Sequence, residues 1–94
     1  MASLPVVRVS DLCTGHDSAQ PRRDVTGSIN TFVNRLPVAR VTDVWEPHGT
    51  DSHIGYGDMG SPTVFINRLP VMRIGDPITC GSKAMTGSLT VFSG

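Results

Sequence analysis

The chain has little of what marks the large functional classes. Of its 94 residues only five are aromatic: Phe32, Trp45, Tyr56, Phe65 and Phe92. Eight Lys and Arg balance eight Asp and Glu, for a formal net charge of zero. No excess of positive charge exists to hold a phosphate backbone or an anionic membrane surface. No apolar run approaches the roughly 18 residues of a spanning helix, so stable membrane insertion is not expected. The start, Met1-Ala2-Ser3-Leu4-Pro5, lacks a basic segment followed by an apolar one, so it reads without a secretory leader. Two cysteines, Cys13 and Cys80, permit one disulfide at most, and no export signal favours it. No phosphate-cradling Gly-Lys loop, HExxH pair or nucleophile elbow is found, and Ser61 with His53 does not make a hydrolase. Nothing points to catalysis.

What the chain does have is repetition. Leu4-Pro5-Val6-Val7-Arg8-Val9-Ser10-Asp11 returns as Leu36-Pro37-Val38-Ala39-Arg40-Val41-Thr42-Asp43, and again as Leu69-Pro70-Val71-Met72-Arg73-Ile74-Gly75-Asp76. The spacings are 32 and 33 residues. A second element follows each copy. Gly27-Ser28 leads to Phe32-Val33, Gly60-Ser61 to Phe65-Ile66, and Gly87-Ser88 to Phe92-Ser93. The 17 Gly and Pro residues argue for turns rather than helices, and no window has a sustained helical period. The sequence predicts an all-β domain over 1–94, in repeats of about 4–34, 35–67 and 68–94.

Both elements read as strands. Val7 and Val9 alternate with Arg8 and Ser10, and the other copies follow suit, which predicts one buried and one polar face. Asn34-Arg35 and Asn67-Arg68 precede Leu-Pro and predict tight turns that close hairpins between successive copies, since Asn tolerates positive φ and Pro fixes its own. Arg8, Arg40 and Arg73 are expected to pair with neighbouring acids. Asp51 and Asp58 read as solvated, Trp45 as a cap packed over the loops, and Cys13 as a small buried residue or reserve ligand.

The loops carry the metal-capable side chains. His16 lies five residues after Asp11, His48 five after Asp43, and Cys80 four after Asp76. His53 lies five beyond His48. Where three copies stack about an axis, such positions converge. Taken singly, each His reads as an exposed polar residue; the matched offsets favour the set. His16, His48, His53 and Cys80 together form a tetrahedral donor set suited to Zn²⁺. Four protein ligands close the site, which makes its expected role structural. Structural zinc contributes on the order of 10 kcal/mol to small metal-folded units, more than these polar loops supply by apolar burial.

The three Leu-Pro segments resemble the PAAR-repeat family, named for its Pro-Ala-Ala-Arg motif. The motif stands here in degenerate form, as Pro5-Val6-Val7-Arg8, Pro37-Val38-Ala39-Arg40 and Pro70-Val71-Met72-Arg73. The resemblance spans essentially the whole chain. It implies a small conical all-β fold of three hairpin units in pseudo-threefold arrangement, stapled near its apex by Zn²⁺. The family binds zinc through three His and one Cys, which by position implies His16, His48, His53 and Cys80. It further implies a non-enzymatic piercing tip that caps a trimeric β-helical spike, a valine-glycine repeat protein or a phage tail spike, one tip per trimer. An effector on a separate chain is a second implied partner. The place is a phage tail baseplate, or export through the type VI apparatus after assembly in the cytoplasm. The polar strand positions and the Leu-Pro turns are the expected spike contacts. Two other readings stand beside this one: a zinc-dependent hydrolase acting on an envelope polymer, which requires an open position on the metal, and a free-standing metal-binding module.

Overall fold

The computed structural model of the chain describes residues 3–15, 21–47 and 54–94. Among them there is no helix; the regular structure is six two-residue strands. These are β1 (Leu4–Pro5), β2 (Phe32–Val33), β3 (Leu36–Pro37), β4 (Phe65–Ile66), β5 (Leu69–Pro70) and β6 (Phe92–Ser93). They pair antiparallel as β2 with β3, β4 with β5, and β1 with β6. The first two pairs are the hairpins expected from the sequence. Their turns have positive φ at both central residues, 52° and 68° at Asn34 and Arg35, and 54° and 68° at Asn67 and Arg68. That is the backbone a two-residue hairpin needs to match strand twist. The third pair joins the first strand to the last, so the repeats close into a cycle.

Just past the strand pairs, three backbone hydrogen bonds form a ring. Val7 N–H donates to Met72 O at 3.0 Å, Met72 N–H to Ala39 O at 3.0 Å, and Ala39 N–H to Val7 O at 2.9 Å. Two apolar layers lie against this ring. Val6, Val38 and Val71 form one, with Val33 and Ile66 of the strands packed on it. Val7, Ala39, Met72, Cys13, Trp45, Ile78 and Ala84 form the other, with Cys80 packed on it.

This corrects the expected alternation. Val6 and Val7 are both buried, and Val9 only partly so. Each segment meets a covered layer on either side, so successive side chains are both enclosed. Strands of only two residues also leave no room for a long period-two pattern. After the ring each segment turns. Asp11 N–H donates to Arg8 O at 3.0 Å, with equivalent bonds from Asp43 to Arg40 and from Asp76 to Arg73. Ser10, Thr42 and Gly75 occupy the turns with φ of 80°, 79° and 91°.

The Arg–Asp pairs predicted from the sequence lie inside these turns. Asp43 Oδ2 accepts from Arg40 N–H at 2.7 Å and Arg40 Nε at 2.9 Å. Asp11 binds Arg8 in the same way, and Asp76 binds Arg73. The hydrogen bond to Asp76 is the main cause holding the Arg73 guanidinium further toward its charged form. Two of the three carboxylates also take a threonine hydroxyl. Thr26 Oγ1 donates to Asp43 Oδ1 at 2.9 Å, and Thr86 Oγ1 to Asp11 Oδ1 at 2.8 Å. Each hydroxyl in turn accepts a backbone N–H, from Val44 and from Leu12. In the remaining repeat Met59 stands for the threonine and Pro77 for the N–H donor. Both halves of that contact are replaced together, so no donor is left stranded.

The Gly-Ser step has a packing reason in every repeat. A Cβ on Gly27, Gly60 or Gly87 would lie 2.7, 2.4 or 2.8 Å from the carbonyl oxygen of Val38, Val71 or Val6. The serine that follows donates its N–H to that same carbonyl, at 2.9 Å for Ser28 and 2.8 Å for Ser61 and Ser88. Two of the serine hydroxyls then tie the hairpin turns across the molecule, and the third binds the last residue. Ser28 Oγ donates to Asn67 Oδ1 at 2.7 Å, Ser88 Oγ to Asn34 Oδ1 at 2.6 Å, and Ser61 Oγ to the carbonyl of Gly94. Ser28 Oγ also accepts the N–H of Thr31 at 2.9 Å. Ser28→Ala therefore strands the Thr31 N–H and removes a tie between two repeats. The expected loss is roughly 1–3 kcal/mol, read as a lower urea midpoint with unchanged m-value.

Candidate functional site

At the end of the molecule away from the strand pairs, the bases of the three loops are knitted together. Gly15 N–H donates to Ser82 Oγ at 2.9 Å, and Thr14 N–H to Lys83 O at 2.8 Å. Arg22 Nε donates to Pro47 O at 3.1 Å, and Trp45 N–H to Gly55 O at 2.9 Å. Gly55 lies close against Cys80: a Cβ built on it would be 3.0 Å from Cys80 Sγ and 2.8 Å from Ile78 Cγ2. Cys80 is partly exposed and free, packed on the larger core layer. The chain turns sharply beside it, with Gly81 at φ 99° and Gly81 N–H donating to Ile78 O at 2.9 Å.

Of the four residues the sequence selects as metal ligands, Cys80 is described; His16, His48 and His53 lie outside the described residues. The described residues next to them are Gly15, Pro47 and Ile54. Gly15 is tied to Ser82, two residues from Cys80, and Gly55, two residues from His53, touches Cys80 itself. Among the described residues no three His, Cys, Asp or Glu side chains form a group able to hold a metal. The thiol of Cys80, unpaired and reachable from solvent, is chemically fitted to be one zinc donor.

Cys13 sits deeper, 1% exposed, and its sulfur accepts the Arg22 N–H at 3.2 Å. It is free, as is Cys80. Trp45, at the corresponding position of the second repeat, is also 1% exposed. It is therefore a core residue beneath the loops rather than a cap over them. An indole can be enclosed here because Cys13 and Ile78, its smaller counterparts, leave the volume. Asp58 is exposed, as expected, and Asp51 lies outside the described residues.

The opposite end carries a set of exposed apolar side chains that sequence reading did not single out. Phe32, Phe65 and Phe92 occupy corresponding positions of the three repeats and are 56%, 55% and 53% exposed. Ile29 and Leu89 project from the loops just before them and are almost fully exposed. Val64 and Val91 complete a set of seven exposed apolar side chains, and exposure of this kind repeated at corresponding positions suits a contact surface. The signal was present in the sequence as the recurrence of Phe, but recurrence alone does not tell a core position from a surface one.

Together these features define a small all-β module of three short-hairpin repeats, with knitted loops at one end and a repeated apolar set at the other. The profile of the PAAR motif matches residues 14–86, 73 of the 94 residues. The chain belongs to the PAAR-motif family. Proteins of this family are associated with the spike tips of type VI secretion systems and contractile phage tails, where they serve as structural modules. Comparison with curated proteins gives no match.

Proposed function

We propose that this protein is the non-enzymatic tip of a contractile injection machine, seated on a trimeric β-helical spike with one tip per trimer. The observation that carries the reading is the repeated exposed set Phe32, Phe65 and Phe92, at near-equal exposure in all three repeats. One chain then offers a matching contact to each of three identical subunits, in a pseudo-threefold arrangement. Desolvation of the aromatic rings supplies the binding energy, and the partner's strands cover the short strand pairs. The loop end faces the target envelope. Zn²⁺ held by His16, His48, His53 and Cys80 would stiffen it there as a closed structural site. The knitted loop bases and the thiol of Cys80 support that assignment. The role is mechanical: sheath contraction drives the spike forward and the tip concentrates force on a small area. An effector on a separate chain is a further proposed passenger.

The test is co-purification with a trimeric β-helical spike. The expected result is one tip per trimer. Phe32→Asp and Phe65→Asp, each at an exposed position, are expected to weaken the complex at least tenfold, on the order of 1.4 kcal/mol or more, while leaving the melting temperature nearly unchanged. Wild-type affinity in both variants would remove the apolar set from the interface.

A further inference from the structure

The core holds a carboxyl without a hydrogen-bond partner that the proposed role does not use. Asp24 is 1% exposed and forms an antiparallel bridge with Trp45. Neither of its carboxylate oxygens has a hydrogen-bond partner, and neither does the Nε1–H of Trp45. In the other repeats the corresponding residues are Gly57 and Ala84. All three make the same backbone bonds: Asp24 N–H to Asp11 O at 2.9 Å, Gly57 to Asp43 O at 3.0 Å, and Ala84 to Asp76 O at 3.0 Å. The fold thus needs only a small side chain here, and the carboxyl is an addition to an otherwise apolar position.

The surroundings decide its charge. Burial is the largest influence and disfavours the carboxylate. The carboxylates of Asp43 and Asp11 face it and disfavour it further. The guanidinium of Arg40 and the N–H of Val25 act the other way, but Arg40 is already engaged by both oxygens of Asp43, and the Val25 N–H donates to Val44 O at 2.8 Å. Cys13 is the other ionisable group in the neighbouring core layer. The outcome is a carboxyl pushed up from 3.8 to about 8. At neutral pH it is therefore held chiefly as the uncharged acid.

We propose that Asp24 is a proton-operated latch: as a neutral acid it belongs to the core beside Trp45, and on losing its proton it loosens that core. The inference rests on the fold alone and stands whether or not the protein caps a spike. The direction follows from linkage. In the unfolded chain the carboxyl ionises near 3.8, in the folded one near 8. Between those values the folded state holds a proton that the unfolded state has lost, so stability falls as pH rises and levels off above the upper value. Histidine ligands of a metal act oppositely, since acid protonates imidazole. The latch is therefore read as the difference between wild type and Asp24→Asn at each pH.

Trp45 is the only tryptophan, so its emission reports on this spot. In wild type the emission is expected to titrate with a midpoint near 8, and the titration is expected to vanish in Asp24→Asn. Asp24→Ala copies Ala84 and serves if the asparagine variant folds poorly. The melting temperature of wild type relative to either variant is expected to fall between about pH 5 and about pH 9. Carbon NMR of the Asp24 carboxyl in the wild-type protein needs no variant. A carboxyl resonance already ionised at neutral pH, or an emission titration retained by both variants, would overturn the proposal.

Discussion

Trp45→Ala is expected to remove a large part of the protein's folding stability. Trp45 is the largest of the fully buried side chains, and it packs in one layer with Val7, Ala39, Met72, Cys13, Ile78 and Ala84. Truncating a buried tryptophan costs about 3–5 kcal/mol through lost transfer energy and the cavity left behind. Domains of ordinary size are stable by only about 5–15 kcal/mol, so the loss is a large fraction of the whole. The cavity cannot readily collapse, because the layer rests on a closed ring of backbone hydrogen bonds through Val7, Ala39 and Met72. Far-UV circular dichroism with urea titration reads the result. Trp45→Phe separates volume from polarity: it keeps most of the ring and removes an indole N–H that has no partner. A loss well below that of Trp45→Ala is expected for it, because the residual cavity is smaller. Equal damage from both variants would mean that the indole nitrogen, rather than the packed ring, holds the layer.

Chelation of the proposed zinc is expected to have an effect of similar size. The loops that would carry the ligands are rich in Gly, Ser, Thr and Asp and supply little apolar burial of their own. A structural zinc supplies on the order of 10 kcal/mol of apparent binding energy. Even a few kcal/mol of this expressed in folding lowers the melting temperature of a domain this size by roughly 20 °C. Cys80→Ser and His48→Ala are each expected to release the metal and to lower melting as chelator does. Cys13→Ser is the internal control, since Cys13 already accepts the Arg22 N–H from within the core. It is expected to retain one zinc per chain by elemental analysis. Unchanged melting in chelator would remove zinc from the fold, whatever the spike experiment gives. Retention of zinc by Cys80→Ser would instead change the donor set.

The sequence by itself determined the repeats, the all-β character, the Asn-Arg hairpin turns and the Arg–Asp pairs. Each of these rests on residues close in the chain or recurring along it, so local chemistry suffices. Asn34 and Arg35 sit between two strands of one hairpin, and Arg8 meets Asp11 three residues on. The family was legible for the same reason, since its motif is short and stands three times. Tertiary structure decided the rest. The burial of Val6 together with Val7 follows from layers contributed by three distant segments, whereas period-two reasoning assumes a single covered face. Trp45 moved from cap to core because of the smaller residues at the matching positions of other repeats. The Phe series is exposed because Val33 and Ile66, the next residue in two of the three copies, turn inward onto the valine layer. Asp24, flanked by Arg23 and Val25 in sequence, has nothing local to distinguish it from a solvated acid. Only the closing of the three repeats around it removes its water, because burial is a property of the assembled chain and not of any stretch of it.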